Sequence, residues 1–210
     1  MKKFTIMLIL MVVLLSGCSV VRINTKDIDS ILNAVLTKSN NLYNQVGQGY
    51  KYYVPAGVTF IDNDEHNNIL YCDGNYYYLY IDIVDYYYKT KINYKEKDNV
   101  YYSRKFDKKD GFKYSGYLEI TKESNNMYHI NFVYNYSKVE ALVDKYKLNE
   151  SVLNISYILS TIKYNHTVIQ MMQDENYFKN KTGKYNNYKT NGSSNKFKLK
   201  TQDKVKKDKV

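Results

Sequence analysis

At 210 residues the chain has room for one packed domain with appendages and is short for two lobes. Hydrophobic residues at 44%, aromatics at 16% and charged residues at 25% supply a core and an ordinary soluble surface, which excludes wholesale disorder, collagen and coiled coil. Two cysteines, Cys18 and Cys72, exclude a disulfide scaffold or a four-cysteine zinc site, and the formal charge of +10 suggests nucleic acid only until it is divided along the chain. Tyrosine at 26 against Phe at 7, no Trp, and only Arg22 and Arg104 among 31 Lys plus Arg form a skew that AT-rich codons produce without selection for function. Where these residues sit is therefore informative; how many there are is not.

The first element is a pair of charges, Lys2 and Lys3, followed by an apolar run from Phe4 to Leu15 and then Leu15-Ser16-Gly17-Cys18. The run is short of the about 20 apolar residues needed to span a bilayer and reads as a signal peptide over residues 1–17. Its end resembles the lipobox of the bacterial lipoprotein class: an aliphatic residue, two small residues and a cysteine. The resemblance covers this segment alone. It implies that the Cys18 thiol receives a diacylglyceryl group, that the chain is cut before it, and that the mature protein is held on the extracytoplasmic side of the cell membrane. Two buried acyl chains, at about 0.8 kcal/mol per CH₂, anchor without a transmembrane helix. Residues 18–25 then form a short tether, of which Ser19 to Asn24 reach at most roughly 20 Å. With Cys18 lipidated, Cys72 is a small buried hydrophobe at a strand end.

Residues 26–176 read as a single α+β domain. Ile28, Ile31, Leu32, Val35, Leu36 and Leu42 follow helical spacing over 26–44, with Asn24 or Thr25 as cap. Past Gly47 and Gly49 the period becomes alternating. Strands are expected at Val58–Asp62, Asn68–Cys72, Tyr76–Tyr88, Val100–Phe106, Phe112–Lys122 and Met127–Tyr136, with turns at Asp73-Gly74, Asp110-Gly111 and Asn125-Asn126. Ser137 and Glu140 resemble a capping box opening a helix with stripe Val139, Leu142, Val143 and Tyr146. Asn149 opens a longer helix to Met172 with stripe Val152, Ile155, Leu159, Ile162 and Ile169. The expected fold is an N-terminal helix, a six-stranded antiparallel meander and two C-terminal helices packed on one face.

Residues 177–210 hold 11 Lys against Asp203 and Asp208, net +9, whereas residues 18–176 hold 18 basic and 19 acidic residues, net −1. The basic segment has little apolar content and no period, so a disordered tail is expected, within reach of anionic lipid or a wall polymer. Nucleic acid is not an expected partner outside the cytoplasm.

No catalytic motif is present: neither a Gly-x-Ser-x-Gly elbow, nor His-Glu-x-x-His, nor a phosphate-cradling glycine loop. Of the histidines, His166 falls on an apolar stripe and reads as a core residue, and His129 falls on the polar side of a strand and reads as solvated. His66 lies in Asp62-Asn63-Asp64-Glu65-His66, where Asp62, Asp64 and His66 place metal-ligating atoms at alternate positions. A calcium loop would need Gly where Asn67 stands, so a polar turn is the simpler account. Asp82 and Asp85 could form a hydrolytic carboxylate pair, but three residues apart on a regular strand they face opposite ways. In Tyr76–Tyr88 the odd positions Tyr77, Leu79, Ile81 and Ile83 make a core row. Tyr76, Tyr78 and Tyr80 make a second row that either binds a partner or lies beneath helices. No cofactor is implied. The expected function is a non-enzymatic binding or adaptor domain at the cell envelope, with an unidentified protein or envelope ligand; the alternative is a cell-envelope hydrolase using His66 with Asp82 or Asp85.

Overall fold

The computed structural model describes residues 25–64 and 66–174. The signal peptide, Cys18, the tether to Asn24 and the basic segment 177–210 lie outside the described residues. The fold is α+β, with helices and antiparallel strands in two sheets. Helix α1, Ile28–Leu36, is shorter than the expected 26–44 and is capped by Asp27, whose carboxylate accepts the Ser30 N–H at 2.9 Å, not by Asn24 or Thr25. Leu42, on the expected stripe, lies beyond the helix and is exposed.

Strands β1 (Gln45–Gly47) and β2 (Tyr50–Tyr52) form a small sheet, which β10 (Lys163–Tyr164) joins on the far side of β2. The large sheet has seven strands in the order β3-β4-β5-β9-β8-β7-β6, comprising β3 (Thr59–Asp64), β4 (Asn67–Cys72), β5 (Asn75–Ile81), β6 (Tyr102–Phe106), β7 (Gly116–Lys122), β8 (Met127–Tyr134) and β9 (Ser137–Asp144). This is not the expected six-stranded meander, because residues 137–144 are a strand and not a helix. Ser137, Val139, Ala141 and Val143 are all buried, and β9 fits between β5 and β8. The turn that delivers it is Asn135-Tyr136, with φ of 52° and 59°, the two-residue geometry matched to strand twist. The chain therefore leaves β5, crosses to the far edge of the sheet, and returns strand by strand until β9 closes against β5.

The expected strand Tyr76–Tyr88 stops at Ile81, and Ile83–Tyr88 form helix α2 with Asp82 as its cap. The expected helix from Asn149 to Met172 is two helices, α3 (Leu148–Thr161) and α4 (His166–Asp174). Asn149 does not cap α3; its side-chain amide donates to the Thr25 carbonyl. The break falls where Ser160 and Thr161 hydroxyls bond back to the last turn and Thr161 Oγ1 also accepts the Tyr53 N–H at 3.0 Å, which satisfies the helix end without another turn. The predicted stripe Val152, Ile155, Leu159, Ile162 and Ile169 is nonetheless buried throughout.

One face of the large sheet carries Leu70, Tyr77, Leu79, Ile81, Leu118, Ile130, Phe132 and Val139, all at most 1% exposed, and α1 and α3 pack on it. The Tyr77 hydroxyl donates to Ser151 on α3, and the Tyr134 hydroxyl donates to the Leu36 carbonyl that ends α1. Asp29 of α1 accepts from Tyr102 and Arg104 on the edge strand β6. Full burial of each large apolar side chain contributes about 1.5–3 kcal/mol. Among the described residues no helix is long and apolar enough to cross a membrane.

Candidate functional site

Residues 89–101 connect α2 to β6 and fold back over the outer face of the sheet, the one opposite α1 and α3. Lys89 adopts the left-handed conformation (φ 55°) and turns the chain out of α2. The Tyr94 ring then stacks on Tyr117 of β7 at 3.9 Å, its hydroxyl donates to Glu119, and Lys97 pairs with the same carboxylate. Glu96 accepts the Lys105 N–H at 2.7 Å. These contacts hold residues 89–92 as a wall over two adjoining recesses.

The larger is a cleft of about 350 Å³ at the end of the sheet where β6 finishes, β7 begins and the Asn135-Tyr136 turn lies. Four lysines, Lys89, Lys91, Lys105 and Lys108, line it with Asp107 as the single carboxylate, and Tyr114 and Tyr136 supply aromatic walls. Its floor depends on Gly116: a Cβ there would stand 2.1 Å from the Val133 carbonyl oxygen, so only glycine lets β7 approach β8 this closely. The Lys89 ammonium sits 3.9 Å from the centre of the Tyr86 ring. Among the described residues none of these four lysines is in an ion pair.

The smaller recess, about 150 Å³, shares Thr90, Lys91, Ile92 and Tyr136 with the cleft and is lined by both Asp82 and Asp85. The change from strand to helix brings the two carboxylates to one side, which a continuous strand would not. Asp82 is buried and caps α2, accepting the Asp85 N–H at 2.7 Å, while its own N–H donates to the Tyr136 carbonyl. Burial raises its pKa above the usual carboxylate range, opposed by the Asp85 N–H and by a hydrogen bond from Tyr80. Beside it the Tyr164 hydroxyl bonds Ser137 and the carbonyls of Asn135 and Tyr136, fixing the turn between the recesses.

His66 does not join this pair. Its carbonyl accepts the Ile81 N–H at 3.0 Å, and its ring meets Tyr50 of the small sheet edge-on at 6.0 Å, on the core side of β5. Asp82 continues the outer row of Tyr76, Tyr78 and Tyr80, on the other side of that strand. Asp62, exposed in β3, accepts the N–H of Asn63; the side chain of Asp64 lies outside the described residues. The run from Asp62 is thus paired strand and not the expected polar turn, with only residues 65–66 between β3 and β4. Among the described residues no group of three His, Cys, Asp or Glu could hold a metal.

His129 is half-buried and not solvated as expected; burial lowers its pKa, with Glu140 and Glu123 opposing. His166 is no core residue but lies exposed at the start of α4, its ring parallel to Tyr87 at 5.8 Å. Tyr76 and Tyr80 are half-buried and Tyr78 is 5% exposed. Tyr76 packs between Tyr71 and Tyr78, so this row is no open aromatic patch. Cys72 is buried at the end of β4, with the Asn154 amide on its sulfur, and burial pushes the thiol pKa up.

Sequence reasoning missed the cleft, because its lysines come from two stretches, Lys89 with Lys91 and Lys105 with Lys108, that meet only when residues 89–101 fold back onto β6 and β7. The Asp82-Ile83-Val84-Asp85 cap was a readable signal, being an acidic cap followed three residues later by a second acid. No protein-family model, no curated protein and no solved structure matches this chain.

Proposed function

We propose that this protein is a membrane-anchored extracytoplasmic lipoprotein whose folded part is a non-enzymatic binding domain at the cell envelope. The address comes from the lipobox Leu15-Ser16-Gly17-Cys18. The observation that carries the binding role is the cleft, a concavity of ligand size whose walls hold lysines and tyrosines and neither histidine, cysteine nor a carboxylate pair. The hydrolase alternative draws support from Asp82 and Asp85 sharing a recess, but Asp82 is occupied as a helix cap and His66 faces the other side of the sheet. Residues 177–210, with their net +9, add a second attraction to anionic lipid or wall polymer.

Cell fractionation tests the anchor. The wild-type chain is expected in the membrane fraction, and Cys18→Ala in the soluble fraction or retained as uncleaved precursor. A Cys18→Ala chain that is cleaved and still membrane-bound would contradict it.

A further inference from the structure

We propose that the lysine-lined cleft binds a ligand carrying two or more phosphate groups along one chain. The inference rests on the binding role above and names its ligand class. It begins from a charge mismatch. Lys97, Arg104, Lys138 and Lys147 are each paired with a carboxylate, whereas among the described residues the four cleft lysines are in no ion pair; Asp107 is the one carboxylate in the cleft lining, and Asp82 and Asp85 line the adjoining recess that shares Lys91. Because residues 18–176 sum to −1, this excess of lysine over carboxylate in the cleft lining is a placement and not a product of the chain's lysine-rich composition. Cations concentrated in a concave wall focus field and attract anions.

Two further lysines stand beside the end of α1. Lys113, next to the cleft residue Tyr114, holds its ammonium 5.2 Å from that ring and donates to Ser39. Past it stands Lys163, whose pKa is lowered by burial and by the nearby charges of Lys113 and Lys51. Four ammonium groups lining one recess fit several charges on one ligand better than one isolated anion. Lysine also fits the chemistry of the anion. The one described arginine, Arg104, is committed to Asp29 and Asn33, so among the described residues no planar fork is free to clasp a carboxylate. Ammonium groups are point charges with rotatable donors, suited to tetrahedral phosphate oxygens presented from any side. Tyr114 and Tyr136 offer rings against which the ligand's backbone between phosphates can lie.

Position within the fold selects the source. Thr25, where the tether to Cys18 begins, is bonded by Asn149 at the start of α3, beside the end of the sheet where β9 finishes. The cleft is at the opposite end, an eight-residue strand or roughly 25 Å away. The cleft therefore lies at the end of the sheet away from Thr25, which favours solutes or polymers beyond the bilayer over the headgroups of the anchoring membrane.

The test uses the full chain in detergent micelles at fixed ionic strength. An amine-acylating reagent is applied with and without tripolyphosphate, and acylation is read lysine by lysine by mass spectrometry, which separates the cleft from the C-terminal lysines. Lys89, Lys91, Lys105 and Lys108 are expected to be protected at about tenfold lower probe concentration than Lys122 and Lys145. In K91Q/K105Q, half-protection of Lys89 and Lys108 is expected to need about tenfold more probe, about 1.4 kcal/mol. The charge-matched control K122Q/K145Q is expected to change it by less than about twofold, since those lysines are distant. Equal losses from both pairs, or no protection of the cleft lysines, would overturn the proposal. So would protection by phosphatidylglycerol vesicles without protection by tripolyphosphate, which would make the cleft a headgroup site. Release of inorganic phosphate from the bound probe would uphold the ligand class and sink the non-enzymatic role instead.

Discussion

Asp82 places a carboxylate where water is scarce because α2 begins inside the fold and needs a cap there. Its raised pKa means that the folded state holds the proton more tightly than the unfolded chain does. Between the ordinary value of 3.8 and the raised one, folding takes up a proton, so stability falls as pH rises through that window. Asparagine caps as well as aspartate and has no charge to bury. Asp82→Asn is therefore expected to gain stability relative to wild type as pH rises from 4, levelling off once the raised pKa of Asp82 is passed, in urea titrations; a relative stability that is flat or falls as pH rises from 4 would refute this assignment. Tyr134 is a neutral counterpart. Its buried hydroxyl donates to the Leu36 carbonyl and accepts the Tyr114 N–H, and burial pushes its pKa up to about 12. Tyr134→Phe leaves both backbone groups without that partner and is expected to cost about 1–3 kcal/mol of unfolding free energy. An unchanged denaturation midpoint would show that water replaces the hydroxyl.

Strand β9 is the element on which the topology turns. It bonds β5 on one side and β8 on the other, whereas β3 forms an edge with β4 alone. Native-state hydrogen exchange is accordingly expected to find the amides of Val139 and Ala141 opening only with global unfolding, and those of Thr59–Asp64 opening earlier. Exchange of β9 as fast as that of β3 would speak against its central place. The Asp73-Gly74 hairpin and the row Tyr77, Leu79 and Ile81 were legible in the sequence, because a period of two and a positive-φ turn have few competing explanations. Residues 137–144 were not, because Val139, Leu142, Val143 and Tyr146 satisfy the helical period and Ser137 with Glu140 imitates a helix cap. The strand pattern was carried by the small residues Ser137 and Ala141, which weigh little in any hydrophobic count. The true arbiter was Asn135-Tyr136, a tight turn lacking the usual glycine. The end of β5 at Ile81 was hidden in the same way: the tyrosines continue past it, and only the cap at Asp82 marks the change to helix. That missed boundary separated Asp82 from Asp85, and the fold-back of residues 89–101 onto β6 and β7 hid the cleft.

Across the whole molecule, charge is divided between a nearly neutral body with one basic end and a C-terminal segment of net +9. If that segment meets an anionic surface, removing residues 177–210 should weaken co-sedimentation with phosphatidylglycerol vesicles, by up to about 1 kcal/mol per lysine near the surface. Equal sedimentation with and without the segment would remove its membrane role while leaving the cleft untouched. Both basic features have meaning only if the folded body is held outside the cytoplasm beside the envelope, and that placement depends on Cys18. Intact-mass measurement of the protein isolated from membranes tests it most directly. The account predicts a chain beginning at Cys18, lacking residues 1–17 and heavier by a diacylglyceryl group; a chain that keeps Met1, or one that begins at residue 18 with an unmodified thiol, would contradict it.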